Sequence, residues 1–476
     1  MLASADPDSV TVSRLGVIAL GRPTFDVPFA EATAARAFAR LDALGVPTFG
    51  TRDLKFDAEA TRTAIADLKA EAVDAVLVLQ VTFTDATMTA ALAESLAVPL
   101  TFWAFPEART GGRLRLNSLC GVNLAAHALS KRGISCQYLN ADPDAPDLPV
   151  RLTQALVGTP VTVPVPALPS PGPADRDLAI RAAAQLKQQR IGVFGQHPDG
   201  FDTCAYDADA LGAFTGIGVE TIDLSDTFAQ AGAADADAVA TTRARVAALV
   251  PNLADQEQQP LDKSLRGYCA MSDMVAARGL SGIAVRCWPE FFTELGGAAC
   301  GPMALLNQEG IPASCEADAY GTVTNLALHA IADQPVFLAD LVHMDTDDDT
   351  GVVWHCGLAP AAMRDPDVPA RATVHSNRKK PLLFEFPLAP GRITLTRLSQ
   401  SGNQTRLVIG GAEMVRAPNS FSGTSGVVRF DRPVGEVLDR IIVEGLEHHY
   451  CLAYGDHRAA LVALAEVWGI EALCLS

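Results

Sequence analysis

The residues of this 476-residue chain that could do chemistry are acids and histidines placed where apolar, strand-like runs end. Glu290 follows AVRCWP, and Glu316 and Asp318 follow PASC in CEADAYG. His343 ends FLADLVH, His355 lies in VVWHCG, and His448 and His449 stand together in EGLEHHYC. The carboxyl ends of strands line the ligand crevice of open α/β sheets, so two strands each deliver carboxylates to one rim. Two carboxylates with one imidazole form a hard, open donor set suited to Mn2+ or Mg2+, with positions left for substrate oxygens. Such a set serves reactions at adjacent oxygens, where a metal polarises a carbonyl and its neighbouring hydroxyl while carboxylates move protons.

Alternatives stand beside each candidate. Either Glu316 or Asp318 would serve as N-cap for a helix starting near Tyr320 or Gly321, leaving the other free. A His-His pair within a strand sends its rings to opposite faces, so one of His448 and His449 is expected at the site. His355, between Trp354 and Cys356, reads as packed.

The elements that must position these residues alternate strand and helix. LGVIAL (15–20), AVLVL (75–79), LTFWAF (100–105) and SCQYL (135–139) read as strands, with helices at 29–44 and 86–96. A proline-rich run, 161–177, marks a boundary. The pattern then restarts with a helix at 178–188, strands RIGVF, VETIDL and GIAVRCW, and one long helical stretch from 227 to 279. A helix at 294–309, a strand end at IPASCEAD, the helix TVTNLALHAI and the strand PVFLADLVH follow. Beyond Asp345 come short β-rich runs separated by turns, closed by a helix at 456–468. The fold class is α/β: two Rossmann-like α/β domains, 1–170 and 171–345, followed by a β-barrel-like C-terminal domain, 346–476.

Composition excludes several classes. With 37 basic and 55 acidic residues the net charge is −18, which opposes nucleic-acid binding. No apolar run reaches the ~20 residues of a membrane helix. The N-terminal MLASADPDSVTVSR lacks the basic start and apolar stretch of a secretion leader, and the ten cysteines are dispersed without a CxxC pair, so a cytoplasmic, reducing location is expected. No dinucleotide or P-loop glycine motif, GxSxG elbow or HExxH is present.

Taken in order, CWPEFF, the stretch CEADAYG through FLADLVH, VVWHCG with PLAPGRITLTRLS, and EGLEHHYCLAYGDHR resemble the L-fucose isomerase and L-arabinose isomerase group. LGRPTFDVP and PLTFWAFPE resemble that group's first-domain loops. The resemblance implies an aldose–ketose isomerase working through an ene-diol, assembled as a homo-oligomer such as a hexamer, with Mn2+ (or Mg2+ or Co2+) between the second and third domains. Carried over by motif, Glu290 and Asp318 are metal ligands and the catalytic acid and base, and His449 is the third ligand. Glu316 competes with Asp318, and His448 with His449. Arg22 and Trp103 match first-domain residues that reach a neighbouring subunit's sugar, as hydroxyl donor and ring platform. Two other readings are an anionic sugar, for instance a sulfonated one, met by Arg378, Lys379, Lys380 and Arg371, and a sugar-binding protein without turnover.

Overall fold

The computed structural model describes residues 12–158, 161 and 163–476. Most of the N-terminal stretch read as leaderless lies outside the described residues. The first sheet is parallel, in the order Thr48–Phe49, Leu15–Leu20, Ala75–Gln80, Leu100–Ala104, Gln137–Asn140, with Leu54–Lys55 also on Leu15–Leu20. Its three longest strands are buried at every position, as parallel strands covered by helices must be. The helix Val27–Ala43 begins at Asp26, whose carboxylate accepts the Phe29 N–H at 3.3 Å, with Pro28 in the first turn.

A second parallel sheet runs Ala313–Ser314, Gly282–Val285, Arg190–Phe194, Gly218–Ile222. The expected single helical stretch at 227–279 is three helices, Leu224–Gly232, Ala236–Leu249 and Gln258–Arg278. Asp235 starts the middle one by accepting two backbone N–H groups at 2.9 Å, and Pro251 follows its last residues, where helix cannot continue.

The third sheet has nine strands and mixed direction. Phe337–Asp345, which the sequence reading placed in the second segment, pairs here with Thr350–His355 and His449–Tyr454. Arg406–Val415 pairs with Gly391–Ser399 on one edge and with Thr424–Phe430 on the other, so the ladder returns on itself. The helix Ala319–Ala332 packs on Gly282–Val285 of the second sheet and on Gly391–Ser399 and His449–Tyr454 of the third. One apolar core runs through all three sheets. Residues at the start of that helix therefore stand where the second and third sheets meet. Among the described residues, no helix is long and apolar enough to cross a membrane.

Candidate active site

The chain leaves the strand Ala313–Ser314 through Cys315 and takes two residues in the left-handed region, Glu316 at φ 58° and Ala317 at φ 54°. That backbone costs a residue with a Cβ about 1–3 kcal/mol, and here it separates two acids that sequence alone leaves equivalent. Asp318 turns inward, fully buried, and caps the helix Ala319–Ala332 by accepting the Gly321 N–H at 2.8 Å. Both its oxygens accept from the buried Arg397 guanidinium, at 2.5 and 3.1 Å, and Oδ2 lies 2.9 Å from Nδ1 of His449. Burial pushes the Asp318 carboxyl up, but Arg397 and then His449 outweigh it and hold it well below the usual range.

Glu316 faces the other way, onto a cavity of about 100 Å3. Its Oε1 accepts the Trp288 indole N–H at 3.2 Å, and its Oε2 lies 3.2 Å from Nε2 of His448 and 3.7 Å from Nε2 of His449. Asp340 completes the cluster. Sheet register sets it directly opposite His449 on the neighbouring strand, and its Oδ1 lies 3.3 Å from Nε2 of that ring. Burial opposes charge on His449, but bonds to Asp318 and Asp340 prevail and raise its pKa well above the ordinary value. Burial pushes His355, on the same wall, down to about 4, so it is neutral near pH 7.

The far side of the cavity is cationic. Trp288, whose N–H is given to Glu316, carries the guanidinium of Arg22 at 4.8 Å and that of Arg378 at 6.0 Å from its ring. Arg22 reaches Asp85 at 3.3 Å, while Arg378 has no carboxylate partner among the described residues. Burial and then the charge of Arg22 depress the Arg378 pKa below its usual value.

The structure brings together Glu316, Asp340, His448, His449 and Arg22, and it does not bring Glu290 or Trp103 to them. After Pro289 the chain turns back, and both Glu290 oxygens accept from Arg286 Nε, at 3.0 and 2.9 Å, away from the cavity lining. Trp103 is fully buried in its own sheet, its indole donating to the Ala141 carbonyl at 2.9 Å and stacked on Phe105. Asp318 stands behind His449 rather than in the cavity. His448 precedes the strand His449–Tyr454, so the alternation expected of a strand does not apply, and the two rings lie 3.8 Å apart. His343 is buried beside Asp345, off the cavity lining. Of the basic cluster only Arg378 lines the cavity; Lys380 donates to the Phe292 carbonyl at 2.8 Å. Asp340, which sequence reasoning did not single out, stands in this cluster, and its signal was an acid in the middle of the apolar strand FLADLVH.

A cavity that gathers buried acids, imidazoles and guanidiniums has the concave shape and convergent polar groups of places where small molecules bind. The family model for the fucose/sulfoquinovose isomerase N-terminal domain matches residues 16–149. Sulfoquinovose isomerase of Alkalicoccus urumqiensis is 30% identical over 388 residues, covering 80% of this chain and 82% of that protein. Those of Priestia aryabhattai and Clostridium sp. (strain MSTE9) are 26% and 27% identical, covering 95% and 96% of this chain and 97% and 98% of theirs. The chain belongs to the fucose/sulfoquinovose isomerase family, and it is an aldose–ketose sugar isomerase.

Proposed function

We propose that the enzyme interconverts a sulfonated aldose and its ketose through an ene-diol, with a divalent cation held by Glu316, Asp340 and His449. The observation that carries the substrate is the pair Arg22 and Arg378 around Trp288, in the same cavity as the acids, Arg22 held by Asp85 and Arg378 without a carboxylate partner among the described residues. A sulfonate stays anionic at every working pH, and guanidinium forks match its oxygens. The names of the relatives agree with this choice.

Glu316, His448 and His449 bring ligand atoms within 4.8 Å of one another, and with Asp340 beside His449 these donors suit a hard divalent cation. His448 Nδ1 is buried without a hydrogen-bond partner, and the carboxylates of Glu316 and Asp340 already favour a positive charge at Nε2 of His449. Carboxylate and imidazole suit Mn2+, with Mg2+ or Co2+ as relatives. When bound, the cation would polarise the carbonyl and its neighbouring hydroxyl. Glu316, on the cavity wall, is positioned to take the proton from the carbon beside the carbonyl. Asp318 keeps Nδ1 of His449 protonated and aims the ring. Trp288 orients Glu316 with its N–H while its ring carries the two cations that grip the sulfonate.

The same reading includes three units, two α/β and a barrel-like third, the second break moved ahead of Phe337. It also includes a homo-oligomer and a cytoplasmic location, supported by ten free cysteines. The test is incubation with Mn2+ and a panel of sulfonated and neutral aldoses in deuterated water. Label entering the sulfonated sugar at the carbon beside the carbonyl supports the proposal; label entering neutral sugars alone refutes the substrate.

A further inference from the structure

One stretch of the cavity wall is a single loop, residues 375–380, between the strands Arg371–Thr373 and Leu383–Pro387. Two backbone bonds close it, His375 N–H to the Lys380 carbonyl at 3.0 Å and Lys379 N–H to the His375 carbonyl at 2.7 Å. His375, Ser376, Asn377 and Arg378 all line the cavity. Burial first, and then Arg378, His355, Lys379 and Arg113, hold His375 neutral. Its unprotonated Nδ1 accepts the backbone N–H groups of Asn377 and Arg378, both at 3.2 Å. The ring packs on Phe292, centroids 5.0 Å apart, so the loop is braced from within and at its base.

Asn377 is also held from outside. Arg113 belongs to a loop of the first unit that Glu107 secures, its carboxylate accepting the backbone N–H groups of Arg115, Leu116 and Asn117 at 2.7, 3.0 and 3.0 Å. From there Arg113 gives Nε and Nη2 to one atom of the Asn377 amide, at 3.2 and 2.8 Å. A guanidinium only donates, so that atom is the oxygen. The amide nitrogen, with two hydrogens, is left without a partner among the described residues. Asn377 and Arg378 therefore offer this part of the cavity donors and no acceptor.

Donors alone suit one kind of group. A sulfonate brings three acceptor oxygens and no hydrogen, so every N–H that meets it is satisfied. A neutral sugar brings a hydroxyl whose hydrogen finds no acceptor on these two side chains, which costs it roughly 10–100-fold in binding. We infer that Asn377 is a specificity-determining residue that donates from Nδ2 to the sulfonate, with Arg113 as its positioning residue. The inference rests on the proposed sulfonated substrate and adds to Arg22 and Arg378 a neutral donor that sorts anionic from neutral sugars.

The experiment uses full-length, Mn2+-loaded protein with sulfonated and neutral aldoses in deuterated water, reading exchange beside the carbonyl as sugar concentration is varied. Asn377→Asp keeps an oxygen for Arg113, and so keeps the loop in place, but turns the open side of the group from donor to anion. KM for the sulfonated sugar should rise about a hundredfold with the maximal rate within about threefold, and exchange into the neutral aldose should not fall. Asn377→Ala and Arg113→Met, which remove the donor and release it, should each raise that KM about tenfold. A purely structural Asn377 gives the opposite result for Asn377→Asp, wild-type behaviour on both sugars, because the Arg113 contact is preserved. A wild-type KM for the sulfonated sugar in any of the folded variants, or equal losses on both sugars, overturns this inference and leaves the substrate standing. A wild type that labels neutral sugars alone overturns the substrate and this inference with it.

Discussion

Nδ1 of His449 lies 2.9 Å from Oδ2 of Asp318, and that contact leaves Nε2 toward Glu316 and Asp340. Asp318 is itself gripped by Arg397, so three buried groups in series aim Nε2 of one imidazole between Glu316 and Asp340. The two acids of CEADAYG therefore have different work. Glu316 lines the cavity, and Asp318 holds the His449 ring beside it.

Asp318→Asn tests that division. It leaves Arg397 buried without its counter-charge, which costs about 3–5 kcal/mol of stability. It also removes the charged acceptor of Nδ1–H, and Mn2+ affinity should fall about 10–100-fold. Denaturant unfolding and calorimetric titration read the two effects separately. Unchanged metal affinity in a folded variant would contradict the ring-aiming role.

Glu290→Gln should be nearly silent. Its partner Arg286 is four residues away and both side chains are about a fifth exposed, so the pair contributes about 0–1 kcal/mol. Turnover within about threefold of wild type is expected. A loss of the hundredfold order that removal of a general base causes would return Glu290 to the site.

Arg378→Ala should separate sugars by charge. Removing a charge-assisted contact costs about 1.5–3 kcal/mol, or roughly 10–100-fold in kcat/KM on the sulfonated sugar. Exchange into a neutral aldose should change little. Equal losses on both classes would assign Arg378 a structural role.

His375 makes stability depend on pH. Burial, then the charges of Arg378 and His355, push its pKa from 6.5 down to about 3. Between those values the unfolded chain binds a proton that the folded one refuses, so this residue lowers stability as pH falls from about 6.5 toward 3. Melting temperatures of His375→Gln should fall less steeply over that window than those of the wild type. Parallel curves would contradict the assignment.

The sequence was informative where one physical rule governs. Continuous apolar runs gave Leu15–Leu20 and Ala75–Gln80 to within a residue, because strands covered on both faces tolerate no polar position. The site was legible as a set of acids and histidines but not as a geometry. Choosing between Glu316 and Asp318 depends on two left-handed residues and on Arg397, 79 positions further on. Asp340 acquires meaning only through register with His449. Trp103 and Glu290 stood in matching motifs, and sequence did not foretell that one is buried in its own sheet and the other paired with Arg286.

The most direct measurement is exchange of deuterium into a sulfonated aldose, beside the carbonyl, by Mn2+-loaded wild type and Glu316→Gln. The wild type is expected to label the sugar, and the folded, metal-binding variant to do so at least about a hundredfold more slowly. Wild-type rates in Glu316→Gln would contradict the assignment of Glu316 as the group that moves the proton.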